Sequence, residues 1–199
     1  MKIIGVTGGV GCGKSAVLCA LKEVLGDERC EILHADDAAK KIEQKGCRCY
    51  EELVELLGPD VLAPDGEIDK KKMSAMIFSD SGLLEKVNGI IHPAVREYIL
   101  EKIDETRKEG KKDYFFLEAA LLIECGYLPL VDEMWYVYAD EKIRRKRLKE
   151  SRGYTDEKIG LIMKSQLSDV EYRKESHFTV DNSGTVEESI KQIRDHLGI

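Results

Sequence analysis

The sequence contains little proline and no long hydrophobic run, and each absence excludes a class of protein. Only 4 of the 199 residues are proline, and low-complexity segments are absent, so a disordered tail is not expected. The apolar stretch at residues 114–123 is far shorter than the roughly 20 residues that a membrane span needs, so no membrane partner is expected. The chain should fold by itself as one ordered soluble domain, with room for inserted subdomains.

The N-terminal segment also lacks the long apolar stretch of a signal peptide. The six cysteines are therefore expected to be reduced thiols, and the protein is expected to be cytoplasmic. Cys47 and Cys49 form a CxC pair, but zinc sites usually combine two CxxC or Cys/His sets, so metal binding there is disfavoured. A monomer is expected, with an oligomer as the alternative.

Basic residues are outnumbered, and they are concentrated in one segment. The chain carries 31 Lys and Arg against 38 Asp and Glu, a net charge of −7, which argues against a nucleic-acid partner. Residues 142–152 nevertheless contain seven basic side chains and a single acid, Glu150. One basic segment on an acidic body predicts a small, highly anionic ligand that is contacted by one moving part.

Predicted strands and helices alternate along the chain. Short apolar runs predict strands at 2–7, 31–35, 114–118, 134–139 and 177–180. This alternation predicts an α/β fold with a parallel sheet of about five strands flanked by helices.

The predicted elements fall into three groups. The core comprises residues 1–33, 112–139 and 176–199. Residues 34–111 have helical periodicity and form a helical insertion, in which Pro93 is predicted to open a new helix. Residues 140–175 are helical and highly charged, and they are suited to a lid.

The segment GGVGCGKS matches the GxxxxGK[ST] pattern of a phosphate-binding P-loop, and it lies between a predicted strand and a predicted helix. Glycines let successive backbone N–H groups converge on phosphate oxygens, and the helix adds the positive end of its dipole. In this interpretation Lys14 neutralises the β and γ phosphates and the Ser15 hydroxyl binds Mg²⁺. The predicted nucleotide-binding residues are Gly8, Gly9, Val10, Gly11, Cys12, Gly13, Lys14 and Ser15.

A P-loop by itself indicates a nucleotide and not a reaction. The guanine-reading pattern NKxD does not occur, which argues against a GTPase. No clear hydrophobic strand ending in a DE pair follows at the position expected for a motor or transporter ATPase. A small-molecule kinase needs a base, an acceptor site and a mobile cover, and the chain has a candidate for each.

Asp36 and the basic segment are the candidates for the base and the cover. Asp36 follows the second predicted strand, and its carboxylate can accept the proton of a hydroxyl that attacks the γ-phosphate. The same position suits a helix N-cap, a role that Asp37 could take instead. Within the basic segment, Arg147 and Arg152 are the arginines predicted to contact phosphate.

Six segments follow one another along the chain: GVTGGVGCGKS at 5–15, HAD at 34–36, GEIDKKKMSAMIF at 66–78, HPAVR at 92–96, EAALLIE at 118–124 and VDN at 180–182. Together they resemble the dephospho-coenzyme A kinase family. The similarity extends from residue 3 to about residue 195, and the combination is specific although the P-loop alone is generic.

The resemblance implies a P-loop NTPase fold with a helical acceptor-binding insertion and a helical lid. It implies an enzyme that uses ATP and Mg²⁺ to phosphorylate the ribose 3′-hydroxyl of dephospho-coenzyme A, the last step of coenzyme A biosynthesis. Asp36 matches the family's catalytic aspartate, which favours the base over the N-cap. The other implied roles are catalysis at Lys14 and Arg147, magnesium binding at Ser15 and Glu118, acceptor binding at Asp36, His92 and Arg96, and nucleotide binding at Arg147 and Asn182. The nucleotide contact of Arg152 is predicted from the basic segment.

The chain departs from the family at five positions. The family commonly has aspartate at the positions of His34 and Glu118, proline at that of Ala120 and a small hydroxyl residue at that of Cys12. Arg152 lies about one residue after the family's second lid arginine. Two alternatives therefore stay open: a nucleoside or nucleoside monophosphate kinase of the same architecture, and a regulatory paralogue that binds ATP without transferring phosphate.

Overall fold

The fold is built around one five-stranded sheet. The computed structural model describes residues 1–78, 80 and 82–199. The strands are β1 (Lys2–Thr7), β2 (Cys30–His34), β3 (Tyr114–Glu118), β4 (Glu133–Tyr138) and β5 (Phe178–Asp181), in the order β2-β3-β1-β4-β5. β1 pairs in parallel with β3 and β4, and β4 pairs in parallel with β5. The predicted α/β fold, with a parallel sheet of about five strands, is confirmed.

Helices follow most of the strands, and the segment between β2 and β3 contains four α-helices and no strand among the described residues. They are α1 (Lys14–Leu25), α2 (Ala35–Ile42), α3 (Arg48–Leu57), α4 (Lys70–Ser79), α5 (Ser81–Glu109), α6 (Glu141–Arg152), α7 (Asp156–Lys164), α8 (Asp169–Glu175) and α9 (Val186–Leu197). Short 3-10 helices span Pro59–Val61 and Leu128–Leu130. Among the described residues, no helix is both long and apolar enough to cross a membrane.

The chain divides into two compact units that are described separately. One unit combines Met1–Leu33 with Thr106–Ile199 and contains the sheet, and the other is His34–Glu105. The helices α6 to α8, which cover most of the predicted lid 140–175, belong to the sheet-containing unit. The functional division into core, acceptor insertion and lid stays a prediction.

The core of the sheet-containing unit anchors the P-loop at both ends. β1 is the central strand, and Ile4 in it is fully buried. The face of α1 that its apolar spacing predicts is turned inward, with buried residues Val17, Leu18, Leu21 and Leu25. These side chains share one hydrophobic core with Phe116 of β3 and Trp135 of β4. The strand before the loop and the helix after it are therefore held in place by the same packing.

The unit His34–Glu105 contains fully buried apolar residues from three of its elements. Leu53 of α3, Val61 of a 3-10 helix and Ile99 of α5 are all fully buried. Asp69 caps the N-terminus of α4 by accepting hydrogen bonds from the backbone N–H groups of Lys71 and Lys72. The helical content of the unit agrees with the periodicity of its sequence.

Pro93 lies inside α5, so the prediction that it opens a new helix is wrong. Proline lacks the N–H that would bond to the Gly89 carbonyl, and in a helix interior this costs about 3 kcal/mol or more. Val87 and Val95 lie before and after Pro93, and both are buried. Burial of two valines contributes about 3 kcal/mol or more, which offsets that cost.

The start of α2 differs from the prediction made for the two aspartates. β2 ends at His34, α2 begins at the next residue, and His34 itself is the N-cap residue. Asp36 and Asp37 both lie in the first turn of the helix, where negative charge interacts favourably with the helix dipole. The predicted N-cap role is therefore wrong for both aspartates.

Candidate active site

The P-loop connects β1 to α1 and depends on its glycines for two reasons. Gly11 has φ +79° and Gly13 has φ +90°, in the left-handed region that side chains other than glycine rarely adopt. At Gly8 the reason is space, since a Cβ would lie 2.5 Å from the backbone carbonyl oxygen of Val137. Gly13 is also the N-cap residue of α1, so the loop leads directly into the positive end of a helix dipole.

Lys14, the first residue of α1, is held between the loop and the end of β3. Its Nζ donates a hydrogen bond to the Gly8 carbonyl at 2.8 Å and lies 3.8 Å from Glu118 Oε1. The Lys14 and Glu118 side chains are only 10 % and 13 % exposed, so water and salt screen the pair weakly. A lysine held in this way can neutralise the charge of a phosphate bound in the loop.

Ser15 and Glu118 carry oxygen atoms of the kind that Mg²⁺ prefers. Ser15 is an exposed residue in the first turn of α1, and Glu118 ends β3 opposite Val6 of β1. Magnesium takes one or two ligands from a protein and completes its shell with water and phosphate oxygens. Among the described residues, no group of three or more His, Cys, Asp and Glu side chains could hold a metal without a nucleotide. Ser15 and Glu118 fit an ion that is bound together with phosphate.

Val10 is contacted through its backbone by two side chains from the segment 140–175. Arg144 Nε donates to the Val10 carbonyl at 2.9 Å. Gln166 Oε1 accepts from the Val10 N–H, also at 2.9 Å. Neither Arg144 nor Gln166 was among the site residues that the sequence indicated.

The Cys12 carbonyl is held by two of the predicted site residues. Asn182 Nδ2 donates to it at 2.7 Å, and Arg147 donates to it at 3.3 Å. Arg147 also donates to the Asn182 carbonyl at 2.9 Å, while Asn182 Oδ1 accepts from the Ser189 hydroxyl at 3.0 Å. Asn182 is only 1 % exposed, so its side-chain amide is part of the support of the loop.

The arginines of α6 divide between the loop and the surface. Arg144 and Arg147 are three residues apart, which places them on one face of the helix, and both contact the loop. This spacing was the signal by which Arg144 could have been found from the sequence. Arg152, at the exposed end of α6, lies with its guanidinium 5.9 Å from the centre of the Tyr154 ring. Its contact with phosphate stays a prediction.

Three predicted site residues belong to the unit His34–Glu105. Asp36 is exposed in the first turn of α2. His92 is exposed and Arg96 is half-buried, and their spacing of four residues places them on the same face of α5. The roles of all three, as base and as acceptor ligands, stay predictions.

The cysteines are free thiols, as the sequence predicted. Burial raises the pKa of Cys49 to about 11, which disfavours the thiolate that a metal ion would need. Cys12 is buried within the P-loop with 1 % exposure, and the loop uses its backbone carbonyl as an acceptor.

Comparisons with known proteins agree with the motifs. A family profile described as dephospho-CoA kinase matches residues 2–188. A dephospho-CoA kinase of Aquifex aeolicus is 37 % identical over 98 % of this chain and 95 % of its own length. That of Geobacillus kaustophilus is 35 % identical over 96 % of this chain and 92 % of its own length. The solved structure of TT1252 from Thermus thermophilus matches at 26 % identity with a TM-score of 0.82, covering 98 % of this chain and 95 % of that one.

The position of the loop and the extent of these matches classify the protein. A P-loop that follows the central strand of a parallel sheet, with a half-buried lysine and the arginines of a neighbouring helix against it, is typical of the P-loop kinases. Within that class, the match covers almost the whole chain. The chain belongs to the dephospho-CoA kinase family.

Proposed function

We propose that this protein transfers the γ-phosphoryl group of ATP to the ribose 3′-hydroxyl of dephospho-CoA and releases CoA and ADP. One observation carries the proposal: relatives named dephospho-CoA kinase match nearly the whole chain, including the loop that would bind the phosphates. The reaction is the last step of CoA biosynthesis. The free state of the cysteines supports assigning it to the reducing cytoplasm.

On the nucleotide side, the P-loop N–H groups bind the phosphates and Lys14 neutralises part of their charge. Ser15 and Glu118 are the residues that would hold Mg²⁺, since both present oxygen atoms beside the loop. The ion, when bound, supplies further charge neutralisation on the β and γ phosphates. The low exposure of the Lys14 and Glu118 side chains supports a role for Lys14 in neutralising phosphate charge, because electrostatic interactions are stronger where water is excluded.

On the acceptor side, Asp36 accepts the proton of the 3′-hydroxyl as that oxygen attacks the γ-phosphorus. The bond between the γ-phosphorus and the bridging oxygen breaks, and ADP leaves with the electron pair. His92 and Arg96 bind the acceptor, for which a guanidinium suits the phosphate groups of dephospho-CoA. Their common face on α5 supports a shared ligand.

The segment 140–175 acts as a lid, and Arg147 and Arg152 stabilise the charge of the transferring phosphoryl group. Lid closure would exclude water and so strengthen these interactions. The contact of Arg147 with the Cys12 carbonyl supports its place beside the phosphates.

The substrate is tested by measuring ADP production with Mg-ATP and dephospho-CoA, adenosine, a panel of nucleoside monophosphates, or no acceptor. We expect acceptor-dependent ADP only with dephospho-CoA, together with a product of CoA mass. A faster reaction with another acceptor would overturn the substrate and favour a nucleoside or nucleotide kinase. ATP binding without transfer to any acceptor would overturn the enzyme and favour a regulatory paralogue.

The base is tested with Asp36→Asn, which keeps the shape of the side chain and removes its basicity. We expect turnover to fall about a hundredfold or more, the usual contribution of a general base, while the Kd for ADP stays unchanged. Asp37→Asn is the matched control, because Asp37 lies in the same helical turn and pairs with Lys40 at 2.6 Å. Equal turnover in Asp36→Asn and the wild type would remove Asp36 from this role.

A further inference from the structure

The contact between α6 and the P-loop involves backbone as well as side chains. A Cβ on Gly11 would lie 2.9 Å from the Arg144 carbonyl and 2.9 Å from Leu148 Cγ, so the helix packs directly on this part of the loop. Arg144 then turns its guanidinium over Gly9 and donates from Nε to the Val10 carbonyl. Gln166 Oε1 accepts a hydrogen bond from the Val10 N–H, so both polar backbone groups of Val10 are bound by side chains.

These hydrogen bonds fix the direction of the peptide group between Val10 and Gly11. That group belongs to the phosphate cradle, by which we mean the P-loop N–H groups that would surround the bound phosphates. In a trans peptide the carbonyl and the N–H point in opposite directions. Because Arg144 binds the Val10 carbonyl, the Gly11 N–H of the same peptide group points away from Arg144. The same reasoning applies to the Cys12 carbonyl, which Asn182 and Arg147 bind, and to the Gly13 N–H.

The loop's own turn hydrogen bond, from the Cys12 N–H to the Gly9 carbonyl at 3.2 Å, is compatible with either direction of the peptide group. Glycine adopts positive and negative φ about equally well, so the peptide group between Val10 and Gly11 can rotate at low cost. Rotation would present a carbonyl oxygen where the cradle needs an N–H, and an oxygen repels phosphate. A hydrogen bond from outside the loop is therefore needed to select the orientation that binds an anion.

We propose that Arg144, together with Gln166, is a positioning residue that holds the Val10 backbone so that the Gly11 N–H faces the bound phosphates. Arg144 acts on the nucleotide through the loop and does not itself contact phosphate. This inference rests on the proposed nucleotide binding, and it adds two residues that the sequence motifs did not indicate.

Two substitutions at Arg144 separate positioning from a direct charge contact. Glutamine carries a donor nitrogen the same number of bonds from Cα as arginine Nε, but it has no charge. Methionine has a similar length and no donor. If Arg144 positions the loop, Arg144→Gln should retain its affinity for ADP and Arg144→Met should have a weaker affinity. Loss of a direct charge contact would instead weaken ADP binding equally in the two variants.

The measurement is the Kd for Mg-ADP by calorimetry on the full chain, with the melting temperature of each variant as a check on folding. We expect Arg144→Met to bind about tenfold more weakly, the effect of one hydrogen bond to a charged group, and Arg144→Gln within about twofold of the wild type. Arg145→Met is the matched control. Arg145 is the next residue of α6, it pairs with Glu141 and Asp156, and we expect no change in Kd.

The second contact gives an independent test if Arg144→Met does not fold. Gln166→Met removes the acceptor oxygen for the Val10 N–H and adds no charge beside the loop. We expect this variant to weaken ADP binding, while Arg145→Met leaves it unchanged.

Each outcome decides the inference. Equal weakening in Arg144→Gln and Arg144→Met would show a direct charge contact and overturn the positioning role of Arg144. Wild-type affinity in Arg144→Met and Gln166→Met would overturn it as well. If the wild type itself did not bind ADP, the proposed function would fall first and the inference with it. If the wild type binds ADP normally and Arg144→Met binds it equally well, the positioning role of Arg144 is overturned while the proposed function stands.

Discussion

Lys14 and Glu118 illustrate how much one residue can depend on its neighbour. Their side chains form a largely buried ion pair beside the loop, and Lys14 also donates to the Gly8 carbonyl. Removing the lysine deletes a cation from the cradle and leaves a carboxylate next to the place where phosphate binds. Both consequences weaken anion binding, because like charges repel strongly where water is scarce.

We therefore expect Lys14→Ala to weaken Mg-ADP binding by at least about tenfold and to lower turnover as well. Lys22→Ala is the control, because Lys22 is an exposed lysine on the same helix that pairs with Asp27 at 2.8 Å. The test is calorimetric titration of both variants. Wild-type affinity in Lys14→Ala would contradict the assignment of this loop to phosphate binding.

At the scale of secondary-structure elements, Glu133 joins two strands and a helix of the sheet-containing unit. Its carboxylate, at the start of β4, forms an ion pair with Lys2 of β1 and accepts a hydrogen bond from His196 of α9. Burial by itself would raise the pKa of this carboxyl group, but the interactions with Lys2 and His196 outweigh it and hold the pKa below its usual value. The charged form of Glu133 therefore stabilises the folded state.

The pH dependence follows from that direction. The unfolded chain takes up a proton at Glu133 near the ordinary value of about pH 4.3, before the folded protein does. The stabilisation is thus fully present above about pH 5 and is lost as the pH falls through the lowered folded pKa. We expect Glu133→Gln to reduce the free energy of unfolding by about 1–2 kcal/mol at pH 6 and by much less at pH 3.

Urea unfolding at the two pH values measures this difference. Glu150→Gln is the control, because Glu150 is exposed, lies 3.9 Å from Lys146, and should change stability by less than about 0.5 kcal/mol at either pH. A pH-independent effect of Glu133→Gln would mean that packing, and not charge, is what the glutamate contributes.

At the scale of the whole molecule, the two units differ in how the chain builds them. The sheet-containing unit needs two segments, Met1–Leu33 and Thr106–Ile199, whereas His34–Glu105 is one continuous stretch. The continuous unit has fully buried residues from three of its elements, including Leu53 and Ile99. A continuous chain with its own core satisfies the main condition for independent folding.

We therefore expect the segment 34–105, expressed alone, to show a helical circular dichroism spectrum and a cooperative thermal transition. Its stability should be only a few kcal/mol, because a domain of this size buries a limited fraction of its surface. Leu53→Ala in the same segment should abolish the transition, since it removes about 2–5 kcal/mol. A disordered spectrum for the unsubstituted segment would contradict its independence.

Local patterns sufficed to predict most of the elements. Apolar runs located β1 and β3, the spacing of apolar residues located α1 and its buried face, and the glycine pattern located the loop. The errors came from sites where packing opposes a local preference. Pro93 lies inside α5 with a buried valine on each side of it, and His34, not an aspartate, occupies the N-cap position of α2 because β2 ends there.

By itself, the sequence determined the fold class and the position of the P-loop, and it predicts Lys14 as the residue that carries the charge of the loop, because each depends on neighbours in the chain or on a compact motif. Only the tertiary structure decided which side chains support that loop. Arg144, Gln166 and Asn182 meet Val10 and Cys12 from more than a hundred positions away along the chain. Such contacts arise when α6 and the end of β5 pack against the loop, and no local pattern specifies which hydrogen bonds that packing will form.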